Sequence, residues 1–541
     1  MDRLSSTMER LLSPETVDII KEKTGEGYKL VVELPTGYKV VLVGVGAVVL
    51  MYKYATSTHG FFKKLGIPGP NPGIFGAISG IKKSGSVSKH DQDMIEKYGK
   101  VVGLFHMRQP IYLLADIDMI KQITVKEFPS FINRSKHSNF PRDPLFKDSL
   151  VFLADDHWKF IRGVLSPTFT GVRMREMIPL MQKCIDSLVT NLWKTTEGGT
   201  KTIKMKDLFG LYSLDVIAST AFGIEADCQA DPENAFILNA QKMTQRGKKA
   251  IVVFIFCTLF PFLGKWLEAV GFRMVDASCR QFFTKAVLQT ISERRELNIS
   301  QRDFLQLMLN SHKLEVAQEE KDSDSYVDLD KSLRRGMTND EILANAILFL
   351  FAGYETTNLT LAYFAYNLAT NQDCQDKLIE EIDRVLNGQP PSYETMPRLE
   401  YLDCAYLESL RLFPPATRMS RVAEEDITIN GILIKKGIEI HIPVGAIHKD
   451  PEYWPDPETY NPERFRPENR PDNYNYVYLP FGAGPRNCIG MRFAHLTVKM
   501  AIAGILQKYR FVTGPETKIP PETNAFEPKP QDGMMLRIEK R

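Results

Sequence analysis

The pattern of apolar and polar positions separates one N-terminal apolar run from a long region of mixed character. Residues 40–52 carry no charge, and Lys39 is the only charged residue between Glu33 and Lys53. A bilayer core requires about 20 apolar residues, so a span needs the longer segment 34–54, with both lysines reaching towards the interfaces. We therefore expect a single transmembrane anchor over residues 34–54. A buried core helix or strand is the alternative interpretation.

The charges around this run predict its orientation. Seven acidic residues precede it in the leader, residues 1–33, whereas Lys53, Lys63 and Lys64 follow it without an intervening acid. Basic residues favour the cytoplasmic side, which predicts a lumenal leader and a cytosolic C-terminal region. This topology is typical of the endoplasmic reticulum membrane.

Proline and glycine dominate the segment that follows the anchor. Prolines remove backbone donors and fix φ, so residues 55–73 are expected to form a short linker. No comparable break occurs later, and we expect one catalytic domain over residues 74–541.

A second uncharged stretch covers residues 250–264 and contains Pro261. It follows Arg246, Lys248 and Lys249, an arrangement that suits a segment lying in the lipid headgroup layer. A buried core element is the alternative.

Composition narrows the classes of protein. The chain has 541 residues, with 43% hydrophobic and 25% charged residues, which is typical of a globular protein. A net charge of +2 gives no indication of nucleic-acid binding. The seven cysteines are scattered and form no C-x-x-C pair, so neither a disulfide framework nor a zinc site is indicated.

A long apolar helix is predicted in the middle of the chain. Thr338 and Glu341 form a capping-box pattern at its start. A glycine inside such a helix lowers its stability, and burial of a carboxylate there costs free energy. Residues that carry such a cost usually have a function. The unusual residues are Ala352, Gly353, Glu355 and Thr356.

Cys488 lies in a glycine-rich loop near the C-terminus. The loop begins at Phe481, carries Arg486 two residues before the cysteine, and has the spacing F-x-x-G-x-R-x-C-x-G. Glycines allow close backbone approach to a flat cofactor, and Arg486 can bind a carboxylate on its rim. A structural cysteine in a turn is the alternative for an isolated residue, but the spacing favours a metal with one thiolate ligand.

These motifs resemble the cytochrome P-450 superfamily of haem-thiolate monooxygenases, and LSPTFTG, FAGYETT and ESLRLFPPA are most similar to its microsomal 3A and thromboxane synthase branch. The resemblance implies a mainly α fold with small β-sheets, preceded by one transmembrane helix. It also implies haem b, with Cys488 as the axial ligand of the iron. Ala352 and Gly353 would then leave space for O2, and Glu355 and Thr356 would be catalytic residues that deliver protons.

Three further motifs match this family. The W-x-x-x-R pattern implies that Trp158 and Arg162 bind the haem propionates, together with Arg486 and Arg421, although Arg418 competes with Arg421 for this role. The E-x-x-R and P-E-R-F patterns imply a structural network. Its members would be Glu408, Arg411 and Arg464. By analogy, the substrate pocket would be lined by Phe351, Ala352, Thr356, Ala416 and Thr417, under a roof formed by residues 128–152.

The resemblance implies a monooxygenase that inserts one oxygen atom of O2 into a lipophilic substrate. No nicotinamide or flavin site is evident, so the electrons would come from NADPH through a separate membrane-bound cytochrome reductase, and cytochrome b5 can serve as a second donor. One alternative is a haem-thiolate isomerase of the thromboxane synthase type, which does not need Thr356. Another is a non-enzymatic haem sensor or carrier in the membrane.

Overall fold

The computed structural model describes residues 36–134, 143, 145–244, 248–273, 275–297, 303–319 and 336–541. The leader 1–33 lies outside these residues. The described chain is mainly helical with small sheets, as predicted. The α-helices of the described residues are α1 (Thr36–Thr56), α2 (Phe61–Lys64), α3 (Ala77–Ser84), α4 (Val87–Tyr98), α5 (Ile117–Lys121), α6 (Asp155–Leu165), α7 (Gly171–Thr195), α8 (Met205–Phe222), α9 (Ala235–Thr244), α10 (Lys248–Leu259), α11 (Pro261–Ala269), α12 (Ala277–Glu296), α13 (Phe304–Glu319), α14 (Asn339–Thr370), α15 (Gln372–Leu386), α16 (Glu400–Leu412), α17 (Val444–Ile447), α18 (Tyr474–Val477) and α19 (Met491–Leu506).

The strands form three small sheets. They are β1 (Val101–His106), β2 (Gln109–Leu114), β3 (Ile203–Lys204), β4 (Met419–Val422), β5 (Ile427–Ile429), β6 (Ile432–Ile434), β7 (Glu439–Ile442), β8 (Tyr509–Val512) and β9 (Met535–Lys540). The first sheet has the order β1-β2-β7-β4, in which β2 and β7 are parallel and the other pairs antiparallel. The second has the order β3-β9-β8, and β5 pairs with β6.

The apolar N-terminal run is helical. Helix α1 has 21 residues and agrees in position with the predicted segment 34–54. Val48, Leu50 and Tyr52 are exposed on it. Among the described residues, the helix that meets length and apolarity criteria for a membrane span is α14, but 61% of its apolar window is buried inside the protein. The membrane role of α1 therefore stays a prediction.

The proline-rich segment packs more closely than a spacer would. The chain divides between His59 and Gly60, not near residue 73. Phe62, in the predicted linker, is buried, and its ring contacts those of Phe105 and Tyr112. The carbonyl of Pro68 accepts a hydrogen bond from Gly103 N. The part of the segment 55–73 from Gly60 onwards therefore belongs to the folded domain, because Phe62 supplies core contacts.

Helix α14 runs through the core of this domain. The predicted capping box is confirmed: Thr338 Oγ1 accepts from Glu341 N, and the Glu341 carboxylate accepts from Thr338 N. Helix α8 lies against it so closely that a Cβ on Gly353 would stand 2.9 Å from Ile217. Glycine at position 353 lowers helix stability, but this close contact with α8 requires it.

The apolar stretch 250–264 forms α10 and the start of α11, with the break at Pro261. Cys257 and Thr258 are buried, whereas Phe256 and Phe262 are exposed. The stretch is therefore partly core and partly surface, so neither sequence interpretation describes all of it.

Candidate active site

A cavity of about 460 Å³ lies in the domain core between α14, α6 and the cysteine loop. Ala352 and Thr356 of α14 face it from one side, and Cys488 and Phe481 face it from the loop. Ala352, Thr356 and Cys488 are exposed although they sit in the middle of the fold, because their side chains border this cavity. The structure thus brings the α14 motif and the cysteine loop to the same cavity.

Local backbone geometry shapes the cysteine loop. Cys488 N donates to Phe481 O at 2.8 Å and closes the loop. Gly484 has φ of +72°, and a Cβ there would meet the carbonyl oxygen of Thr124 at 1.8 Å. This glycine is therefore needed for a contact with the protein itself, not with a cofactor as the sequence suggested. Gly490 lines the cavity instead.

The Cys488 thiol has opposing influences on its pKa. Surrounding protein raises the pKa through burial, while the backbone N–H of Gly490 and the charges of Arg134 and Arg162 lower it. The Phe481 ring lies beside the thiol loop and stacks on His495 with centroids 5.1 Å apart. A cysteine held in this way presents its sulfur to the cavity next to cationic groups.

Five buried or half-buried arginines line the cavity, and four of them form no salt bridge with another described residue. Burial and the neighbouring Arg134 lower the pKa values of Arg421 and Arg486 to about 9. The Nε atoms of both side chains are buried without a hydrogen-bond partner among the described residues. Unpaired buried cations of this kind require an anion. The two propionates and iron of haem fit this combination of arginines and thiol. The four are Arg134, Arg162, Arg421 and Arg486.

Arg418 and Arg421 differ in their partners. Arg418 also borders the cavity, but Asp91 binds it through two hydrogen bonds, one of them from Nε at 2.7 Å. Among the described residues, Arg421 donates to the carbonyls of Ser420 and Ala483 and to no carboxylate. Arg421 is therefore better placed than Arg418 to bind an anion in the cavity.

Trp158 and Arg162 of α6 also line the cavity. The Arg486 guanidinium lies 4.3 Å from the centre of the Trp158 ring, and its Nη2 donates to Leu153 O. Arg162 donates to the main-chain and side-chain oxygens of Asn487 at 3.0 and 2.9 Å. Helix α6 is thereby tied directly to the loop of the cysteine.

Arg134 was not found from the sequence. Its Nη2 donates to Arg486 O at 3.0 Å, and it lines the cavity. Burial lowers its pKa, and the nearby Cys488 opposes that shift. No local pattern around residue 134 signals this role, because its partners come from the distant cysteine loop.

Glu355 and Thr356, the predicted proton-delivery residues, lie on different sides of α14. Thr356 Oγ1 faces the cavity and donates to Ala352 O at 2.6 Å. Glu355 is not among the cavity-lining residues. Its carboxylate lies 3.4 Å from Lys206 Nζ and 3.1 Å from Lys529 Nζ. Consecutive helix residues project about 100° apart, which accounts for this separation.

Two predicted pocket residues also lie outside the cavity lining. Phe351 packs edge-on against Phe146 and Phe283. Thr417 accepts a backbone hydrogen bond from Gly445 N. Ala416 borders the cavity, as do Leu150 and Val151 of the predicted roof, part of which lies outside the described residues.

Glu408, Arg411 and Arg464 meet at the end of α16. Arg411 donates to both carboxylate oxygens of Glu408 at 2.7 and 2.8 Å, and both side chains are fully buried. Arg464 Nε lies 3.4 Å from the same carboxylate, and Asn461 N donates to it. Arg411 also donates to three main-chain carbonyls. The cluster holds together segments that flank the cysteine loop and does not line the cavity.

Comparisons with known proteins agree with this geometry. A model of the family described as "Cytochrome P450" matches residues 67–537. The chain is 40% identical over 500 residues to cytochrome P450 3A29 of Sus scrofa, covering 91% of this chain and 95% of the relative. It is 42% identical over 484 residues to cytochrome P450 3A9 of Rattus norvegicus, covering 88% and 92%. It is 41% identical over 480 residues to cytochrome P450 3A7 of Homo sapiens, covering 88% and 91%.

Proposed function

The chain belongs to the cytochrome P450 family of haem-thiolate monooxygenases, and from this premise we propose that it inserts one oxygen atom of O2 into a lipophilic substrate, using NADPH electrons delivered by a separate reductase. The observation that supports the proposal is the shared cavity of Cys488, Ala352 and Thr356. Much of its remaining wall is apolar, including Ile217, Phe304 and Leu348, which suits a lipophilic compound.

The residues around the cavity would divide the tasks of binding haem. Cys488 would bind the haem iron through its thiolate, and Phe481 would shield the thiolate side from water. The four arginines offset the charges of the propionates, while Trp158 supports Arg486 through its ring. Haem ligated by a thiolate supplies O2 binding and O–O bond cleavage when it is present.

Protons would reach the cavity across α14. The Thr356 hydroxyl now donates to Ala352 O, and rotation about its χ1 would turn that hydrogen towards the cavity. Glu355 would then resupply the hydroxyl from outside the helix. To do so its carboxylate must leave Lys206 or Lys529 and connect to Thr356 directly or through water.

We also propose that the domain works at the cytosolic face of the endoplasmic reticulum membrane. The proposal rests on α1 as the anchor, on the basic residues that follow it, and on exposed apolar side chains of α10 and α11. Those side chains are Val252, Phe256, Phe262, Trp266 and Val270. A reductase, and cytochrome b5 where it contributes, would meet the domain on the same membrane.

The direct test is reconstitution of the full chain with a purified NADPH-cytochrome reductase in phospholipid vesicles. A panel of steroids, fatty acids and apolar foreign compounds is incubated under 18O2, and products are analysed by mass spectrometry. We expect product formation that requires both NADPH and reductase, with one labelled oxygen in each product molecule. Products without label would overturn the monooxygenase proposal.

The isomerase alternative is tested in a separate assay. A haem-thiolate isomerase would convert a fatty-acid endoperoxide without NADPH, reductase or O2. The cavity-facing hydroxyl of Thr356 favours oxygenation, since rearrangement of a peroxide needs no external proton. We expect no endoperoxide conversion above that of free haem.

A further inference from the structure

Asn133 occupies a buried junction beside the cavity. It is 1% exposed and directly precedes Arg134. Its Nδ2 donates to Asp155 Oδ1 at 2.8 Å and to a carboxylate oxygen of Glu424. Its Oδ1 accepts from Asp155 N at 3.0 Å, and its main-chain oxygen accepts from Val422 N at 2.9 Å. Both side-chain hydrogens and the side-chain oxygen are therefore used.

The three segments that meet at Asn133 each carry cavity cations. The first is its own segment, which continues into Arg134. The second is α6, which begins at Asp155 and carries Trp158 and Arg162. The third is β4, in which Val422 directly follows Arg421. Asn133 alone connects its own segment to the other two, because its side-chain amide bonds to Asp155 at the start of α6 and its main-chain oxygen accepts from Val422 N of β4.

The bonding pattern requires an amide at this position. Two carboxylates accept from the same Nδ2, so an acidic side chain here would replace two attractions by repulsions. An apolar side chain would leave both carboxylates and the Asp155 N–H without this partner. Asp155 itself has φ of +53°, an unusual conformation for a residue with a side chain, and the two bonds from Asn133 hold it there.

We propose that Asn133 is a positioning residue, which sets the placement of Arg134, Arg162 and Arg421 around the propionates of the bound haem. The inference rests on the proposed haem-binding function. It predicts that Asn133 controls how firmly haem is retained, although its own side chain does not line the cavity.

The test measures the rate at which purified holoprotein loses haem to an excess of apomyoglobin at pH 8. For Asn133→Asp we expect loss at least tenfold faster than wild type.

Rescue provides the second readout. Asn133→Asp combined with Glu424→Gln restores one amide–carboxylate bond with the partners exchanged, and we expect a rate within threefold of wild type. The matched control is Asn367→Asp, which alters a buried asparagine bonded to Ser409 away from the cavity. That variant should melt at a lower temperature but lose haem at the wild-type rate while folded.

Three results would overturn the inference. They are a wild-type rate in Asn133→Asp, a double variant that loses haem as fast as the single one, and haem loss in Asn367→Asp as fast as in Asn133→Asp. If Asn133→Asp does not fold, Glu424→Ala replaces it, because Glu424 is only half-buried; about threefold faster loss is expected, and no change contradicts the proposal. A wild-type chain that binds no haem would instead refute the proposed function.

Discussion

Arg411 binds Glu408 through two parallel hydrogen bonds, and neither side chain has any exposed surface. Glu408 and Arg411 lie one helical turn apart. Arg411 also donates to the carbonyls of His448, Pro457 and Thr459, which are distant in the sequence. It therefore fixes the position of a long irregular segment relative to α16.

Loss of one member of this pair is expected to be severe. Glu408→Ala leaves the Arg411 charge buried without its counter-ion, which costs about 3–5 kcal/mol in the free energy of unfolding. Chemical denaturation followed by far-ultraviolet circular dichroism measures the change. The control is Lys435→Ala, which removes an exposed pair with Asp426 and should change stability by less than about 1 kcal/mol. A loss below 1 kcal/mol in Glu408→Ala contradicts the expected role.

Cys488 is expected to be essential for the thiolate spectrum. Cys488→His should still take up some haem, because the arginines and Trp158 are unchanged, but the ferrous carbon monoxide complex should lose its thiolate-type absorption band. Cys374→Ser alters a buried cysteine outside the cavity and should keep the band. Persistence of the band in Cys488→His would identify another cysteine as the ligand.

Thr356 should govern coupling between NADPH oxidation and product formation. Thr356→Ala removes from the cavity the hydroxyl that bonds to Ala352 O. We expect the amount of product per NADPH to fall several-fold while hydrogen peroxide rises. Both are measured in the reconstituted system. Thr370→Ala is the matched control, since Thr370 makes the same bond to Tyr366 O at the distant end of the helix. Equal coupling in the two variants would count against the proton-delivery role.

His448 should contribute to a loss of stability in acid. Burial and the nearby Arg411 lower its pKa to about 3, and its Nε2 accepts from Leu479 N. A histidine with a lowered pKa in the folded state destabilises the fold as pH falls below its unfolded value, about 6.5. Between pH 7 and 5 this contribution is about 2 kcal/mol. The pH dependence of unfolding should be flatter by that amount in His448→Gln, and identical slopes would exclude the effect.

Membrane association should have two separable parts. Phe62 belongs to the core, so deletion of residues 1–59 preserves the folded domain and removes α1. We expect the truncated protein to co-float with phospholipid vesicles through the exposed Phe262 and Trp266, because burial of apolar surface yields about 25 cal/mol per Å². Phe262→Asp with Trp266→Asp should abolish flotation, whereas Leu297→Asp, which changes an equally exposed residue at the end of α12, should not. Flotation that survives the double substitution would place the contact elsewhere.

The sequence predicts features whose cause is local and misses those that depend on distant partners. The capping box at Thr338 is local, since both of its partners lie within the first turn of α14. The partners of Glu355 were not predictable, because Lys206 and Lys529 come from other parts of the chain. Arg134 and Asn133 were missed for the same reason.

The sheet β3-β9-β8 has a consequence for synthesis of the protein. Ile203 pairs with Leu536, so the start of α8 is secured by a strand that lies about 330 residues further along the chain. At about 5–20 residues per second, the N-terminal half of the domain waits on the order of tens of seconds for this strand. During that interval β3, the strand that directly precedes α8, has no β9 with which to pair. The unfinished chain is therefore a candidate for binding by chaperones. Premature termination before β9 would leave the same edge permanently open.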